Sequence, residues 1–484
     1  MQLIERISKP RALDPLGVSI FLSTGWVGSD HTLRCDIRVI PGGQRWTWQG
    51  GDNEPTRQTY YPPSRLARQP RQVLTPSYIK QLADGLIQPL RSLSQSFDNI
   101  TCSLTGGLDS RLIAAMLIRA GLKAQYYTFG DPSDTDVKIA TLIARTFDLP
   151  YKVTTITVSD VISDWDNTCL QTIQQADGMR SLYLASGMLK NRAPRIDRLD
   201  VILWGAGGEI ARCFYGNPHF FLARLDVADI ERLLVKKRNR DYGGLIRQEG
   251  VALVRGYIHR FIMQCVDDGF APIDIPDLFG MYQGDARRVG NNSRGLMSCR
   301  DVFSPYCTRA FVDATFALPA LQRFTEPLHY SLMRLLSPEL HSMPSDKGPW
   351  PLQQPIMNLI MNLLKSYGTA QLARIRRRLR DVLIKANRDK CCSSYIGCDI
   401  MLDRKSWFEA KHEQLREVCL DQTNSSIWDF VDRSMFDRIM SSATDPVDRS
   451  RYLKVLCDIV TLFHYEADHR RYSDSATAKP PFES

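Results

Sequence analysis

No uninterrupted apolar run in this sequence approaches the ~20 residues needed to cross a bilayer, which excludes a membrane-spanning helix. The opening "MQLIERISKPRALD" lacks the apolar centre of a secretory signal, so the expected address is cytoplasmic. Framework spacing of cysteine is missing too. The twelve cysteines are scattered, several of them in apolar segments (Cys102, Cys213, Cys265, Cys457), as expected for reduced and mostly buried thiols. The one cluster, Cys391, Cys392 and Cys398 in "KCCSSYIGC", has no paired ligand nearby, so a zinc site is not expected. Internal repeats are absent as well. The net charge of +9 is mild for 484 residues and is concentrated in "VKKRNR" (235–240) and "ARIRRRLR" (373–380). In the second run Ile375, Leu379 and Leu383 fall at helical spacing, so its arginines coat a solvated helix face, and neither nucleic acid nor a membrane is the expected partner.

What is present is enough apolar residue, 43%, to bury a large core divided into two or three units. Residues 1–74 carry short β-like runs ("GVSIFLS", "HTLRCDIRVI", "RWTW") separated by Gly and Pro, which predict a small β-rich lobe. From Thr75 to about Val158 helices and strands alternate, and "LDVILWGAGGE" (199–209) adds a further strand. That alternation predicts an α/β domain, a parallel sheet flanked by helices; beyond about Asp160 the pattern is otherwise largely helical, and the domain is expected to span 75–350. A helical C-terminal part follows over 351–471, and a polar, Pro-containing tail over 472–484 reads as disordered.

In "NITCSLTGGLDSRLIAAMLIRAG", which starts at Asn99, an apolar strand breaks at Gly106 and Gly107 and resumes as a helix stopped by Gly121. Such a turn suits an anion, because glycine admits close approach and the helix presents free N–H groups. The loop lacks the Lys-Ser/Thr pair of a Walker motif and the spacing of a dinucleotide fingerprint, and it carries its own acid, Asp109. Ligands of open parallel sheets bind beyond the carboxyl ends of the strands, so this turn and the one at Gly205 are expected to meet across one crevice.

"SLTGGLDSR" resembles the "SGGxDS" pyrophosphate loop of the ATP pyrophosphatase superfamily, and specifically its asparagine synthetase-like branch. "FLSTGWVGSDHTLRCDIRVIPGGQ" (21–44) resembles the end of that family's glutaminase domain. "YTFGDPSDTDVKIATLIARTFDLP" resembles its second strand and helix, "WGAGGEIARCFYG" its "G-x-G-x-D" turn, and "LHSMPSDKG" its "L-P-x-x-x-K" segment. The similarity covers roughly 16–348 and implies an adenine nucleotide α hydrolase-like fold and an ATP- and Mg²⁺-dependent ligase. Such an enzyme adenylates a carboxylate, releases pyrophosphate and forms an amide.

By that resemblance Ser103, Thr105, Gly106, Gly107 and Ser110 cradle phosphate, with Gly205 and Gly207 in the facing turn. Asp109 would hold Mg²⁺, with Glu209, where the family usually has Asp, as second ligand. Thr128, Phe129 and Gly130 would border adenine. Lys347 would stabilise charge at the adenylate, and Asp301 would assist the incoming amine. His259 and His341 receive no role. Glutamine-dependent relatives carry a cysteine directly after the initiator methionine. Gln2 stands there, so the expected amine is not drawn from glutamine by this chain: it is ammonia, from a separate partner protein or free, or an amine of the substrate, as in β-lactam synthetase and lasso-peptide cyclase-like relatives. The carboxylate is a small molecule or a peptide, and macrolactam formation and amidation of a biosynthetic intermediate both stay open. Two alternatives also stay open, a tRNA-modifying adenylating enzyme of the superfamily and a non-catalytic nucleotide-binding protein.

Overall fold

The computed structural model describes residues 12–51, 54–155, 157–185, 200–213, 225–297, 300–345 and 404–475. Near its start the run "GVSIFLS", expected as β-like, is instead helical: α1 spans Pro15–Thr24. The cause is local. The Asp14 side chain accepts from the Leu16 N–H, Pro15 supplies a preset φ at the first helical position, and Gly25 ends the helix in the left-handed region at φ 84°. Eight of its ten residues are buried, so an all-apolar face gave no strand-like alternation to distinguish the two outcomes. The β structure of described residues 12–74 is one antiparallel hairpin, β1 (Gln44–Thr47) against β2 (Thr56–Thr59).

The α/β expectation holds from Thr75 onward. Helix α2 (Pro76–Ser96) starts on a Thr75 cap and buries Ile79, Leu82, Ala83, Leu86, Ile87 and Leu90, a stripe at helical spacing. Strand β3 (Asn99–Ser103) leads into α3 (Leu108–Ala120), which Gly121 terminates at φ 67° with its N–H on the Ile118 and Leu117 carbonyls. Next come β4 (Gln125–Phe129), α4 (Thr135–Thr146), β5 (Tyr151–Thr154), β6 (Asp200–Leu203), α5 (Gln248–Asp267) and β7 (Asp301–Phe303). The five strands are all parallel in the order β5-β4-β3-β6-β7. The chain steps outward from β3 to β5, then returns to the other side of β3 as β6. This reversal between β3 and β6 is the switch point at which a crevice opens beyond the strand ends.

One apolar core joins this sheet to its helices, including α6 (Pro327–Leu336), through wholly buried Leu86, Leu112, Leu203 and Leu332. Each such side chain contributes on the order of 2 kcal/mol of burial. A second core joins α1 to α7 (Arg404–Leu420) and α8 (Leu453–Ser475), with Phe21 and Leu22 among Trp407, Val460 and Phe463. Helix α8 runs to Ser475, so the first residues of the polar tail, 472–475, are helical rather than disordered. Residues 476–484 and the basic run 373–380 lie outside the described residues, as do Cys391, Cys392 and Cys398. The cysteines among the described residues are unpaired, and apart from half-buried Cys35 and exposed Cys307 they are buried. No described helix is long and apolar enough to cross a membrane.

Candidate active site

The turn after β3 is braced by its own hydroxyls. Ser110 Oγ accepts from the Thr105 N–H at 3.0 Å and lies 2.9 Å from Thr105 Oγ1, which accepts from the Gly107 N–H at 3.1 Å. Both hydroxyl residues are buried. The Gly106 N–H donates to Asp136 Oδ1 at 3.0 Å, so an anion from the start of α4 already sits at this amide. Gly107 is the cap residue of α3 without a side-chain cap, which leaves the first-turn N–H groups to whatever approaches them.

The second turn closes on the first. A Cβ added to Gly205 would stand 2.8 Å from Asp109 Cβ and 3.2 Å from the Ser110 nitrogen, and one added to Gly208 would land on the Asp109 carboxylate. Gly207 takes φ 90°, where a side chain would be strained. Glycine at 205 and 208 is what lets the two turns come this close. Ser304, just past the end of β7, fastens the turn from outside through its hydroxyl on the Ala206 carbonyl, 2.6 Å.

Asp109 is the point of convergence. Its Oδ2 takes a charge-assisted hydrogen bond from Arg212, its Oδ1 lies 2.9 Å from Nε2 of wholly buried His329 on α6, and its carbonyl accepts from Tyr306 Oη at 2.6 Å. Burial alone would raise the carboxyl pKa, but the Arg212 charge with the His329 contact carries it well below the usual carboxylate range. Burial likewise works against the Arg212 charge, and Asp109, Glu326 and Glu209 hold it. Glu209 accepts from the Gly207 N–H at 3.0 Å, and its other oxygen lies 3.8 Å from Arg288.

The remaining sequence-derived positions divide. Ser103 ends β3 at the crevice. Thr128 is buried and donates to the Leu104 carbonyl while accepting from Tyr151 Oη at 2.8 Å, a bracing position between strands. The half-buried Phe129 ring packs edge-on against Tyr127, and Gly130 lies where a Cβ would press on Val137 of α4. Asp301 is exposed at the start of β7, opposite Val201, two residues before the strand's carboxyl end. Lys347 lies outside the described residues. The chain leading to it is held by Arg111, wholly buried, which donates to the carbonyls of Met343 (3.1 Å), Pro344 (2.7 Å) and Gly106 (3.2 Å). Sequence reasoning missed Arg111, Asp136, Arg212, Tyr306 and His329. Arg111 and Asp136 had a signal, since each lies inside a recognised motif segment; Arg212 lies inside one too, but its partner is 103 residues away.

The turn suits a polyphosphate: it combines a glycine approach, helix N–H groups and a nearby arginine. The carboxylates of Asp109 and Glu209 are the hard oxygen donors that Mg²⁺ takes, two of them being enough when water completes the shell. Among the described residues no group of three or more His, Cys, Asp and Glu side chains is placed to hold a metal.

A parallel sheet that reverses at a glycine turn, with the turn opening a helix against a second glycine turn, defines an α/β nucleotide-hydrolase-like domain. Residues 81–262 match the family model for asparagine synthase, and a search of curated proteins finds no match to the chain. The likeness to the asparagine synthase family, whose members are ATP-dependent ligases, thus covers residues 81–262.

Proposed function

We propose that this protein is an ATP-dependent carbon–nitrogen ligase that forms AMP. A carboxylate oxygen of the substrate attacks the α-phosphorus as the bond to pyrophosphate breaks. An amine or ammonia then attacks the acyl carbon, and AMP leaves with the electron pair of the acyl–oxygen bond. The observation that carries this reading is the closure of two glycine turns on Asp109 at the switch point, inside the stretch that matches asparagine synthase.

In this reading the first-turn N–H groups of α3 receive the pyrophosphate, and Thr105 and Ser110 keep the turn in the shape that presents them. Asp109 and Glu209 would hold Mg²⁺, which supplies charge neutralisation when bound. Lys347 would steady the departing pyrophosphate from the segment that Arg111 anchors. Asp301 would assist the amine, so Asp301→Asn should spare pyrophosphate release and lower amide yield. The soluble, cytoplasmic setting and the carboxylate substrate, small molecule or peptide, belong to the same proposal, with ammonia from a partner protein or an amine of the substrate as the nucleophile.

The test is direct. Purified protein is given ATP, Mg²⁺ and a panel of carboxylates with ammonium or with an internal amine, and AMP, ADP and pyrophosphate are separated. AMP and pyrophosphate in equal amounts support the reading. ADP and phosphate, or no nucleotide binding, would refute it.

A further inference from the structure

Asp109 would be expected to offer its carboxylate to a cation arriving with the nucleotide, yet one of its oxygens, Oδ2, already accepts a hydrogen bond from the chain. Arg212, 13% exposed at its side chain, closes on Oδ2, and His329 Nε2 stands 2.9 Å from Oδ1. The guanidinium is not there by accident of a loose side chain. It ends the short turn Gly208–Arg212, whose first residue has no room for a Cβ beside Asp109, and it lies in the field of Glu209 and Glu326 as well. Glu326 itself is held at φ 57°, in a backbone region that costs a non-glycine residue energy, where it precedes Pro327 at the start of α6. Arg288 stands by the same Glu209, 3.8 Å away, and 3.5 Å from Asp285. Four carboxylates thus converge around the two turns with two arginines among them.

Resting on the ligase reading, we propose that Arg212 is a positioning residue that acts as the resting counter-ion of Asp109, so that a divalent cation reaches this carboxylate only as nucleotide phosphates draw the guanidinium away. A planar guanidinium finds in a phosphate a partner at least as good as a carboxylate, and the exchange leaves each anion with a cation at every stage. The metal then enters with the nucleotide rather than before it.

The test needs no turnover. Nucleotide-free protein is titrated with Mn²⁺ while the paramagnetic resonance signal of the free aquo ion is followed. Arg212→Gln should bind Mn²⁺ about tenfold or more tightly than wild type, the scale of one lost charge-assisted contact. The gain should vanish in Arg212→Gln combined with Asp109→Asn. Arg212→Lys, which keeps the charge but not the fork, should fall between, and it carries the test if the glutamine variant does not fold. Mn²⁺ affinity in the Gln or Lys variant equal to or weaker than that of wild type would overturn the proposal. A chain that makes no AMP but shows the Mn²⁺ gain would refute the ligase reading alone.

Discussion

Arg111, one residue after the signature serine of the first turn, reaches the Pro344 carbonyl at 2.7 Å while holding the Gly106 carbonyl at 3.2 Å. A single buried cation thereby joins the first glycine turn to the chain that continues toward Lys347. The contacts with Met343, Pro344 and Gly106 are all made to backbone carbonyls. Arg111→Lys should therefore be far from conservative: one ammonium cannot span three carbonyls that a planar fork reaches together. We expect a loss of about 2–3 kcal/mol in urea unfolding and a fall of tenfold or more in pyrophosphate release. Pyrophosphate release unchanged in a destabilised variant would separate the clamp from the chemistry.

Gly208→Ala tests the closure of the two turns. The added methyl would land on the Asp109 carboxylate, so either the second turn or the carboxylate must shift. Overpacking of this kind costs about 1–3 kcal/mol, but its larger effect should be on activity, through displacement of Asp109 from Arg212. Near-wild-type AMP formation by this variant would mean that the turns do not work in contact.

Asp109→Asn has a pH signature. In the structure Asp109 is packed against Gly205 and Gly208 and paired with Arg212. The folded carboxyl pKa is lowered, so the stabilisation is complete above the unfolded value near 3.8 and drains as pH falls through the lower folded value. Urea unfolding should show wild type ahead of Asp109→Asn by about 2–4 kcal/mol, steady from pH 7 to about 5 and shrinking below about pH 4. A gap that instead grows on acidification would contradict the ion pair.

How much of this was legible in the sequence follows from which signals are local. The alternation over 75–203 was readable because apolar stripes and glycine stops fall within single elements, and the turn at Thr105–Ser110 because its hydroxyls and glycines brace one another within six residues. Arg212 was not readable, since its pairing with Asp109 spans 103 residues and a lone arginine carries no spacing. His329 was hidden for the opposite reason: in "PLHYSLM" it occupies a buried helical position that an apolar residue could fill. Helix α1 carries a start signal in Asp14-Pro15, but the apolar run after it has no polar alternation to set helix apart from strand.

Lys347 supplies the last prediction. It resembles the lysine of the "L-P-x-x-x-K" segment and lies outside the described residues, but Met343 and Pro344 ahead of it are tied by Arg111 to the Gly106 carbonyl of the first glycine turn. A lysine three residues beyond that clamp, if it meets the pyrophosphate as charge develops, should matter far more to the transition state than to bound ATP. Lys347→Ala should then lower the rate of AMP formation by roughly a hundredfold or more while changing ATP affinity by no more than about threefold. The two are measured separately, by single-turnover nucleotide analysis and by calorimetric titration of ATP without carboxylate. Equal losses in both would mean that Lys347 binds the ground state, and the pyrophosphate would then depend on the α3 N–H groups and Arg212 for its stabilisation.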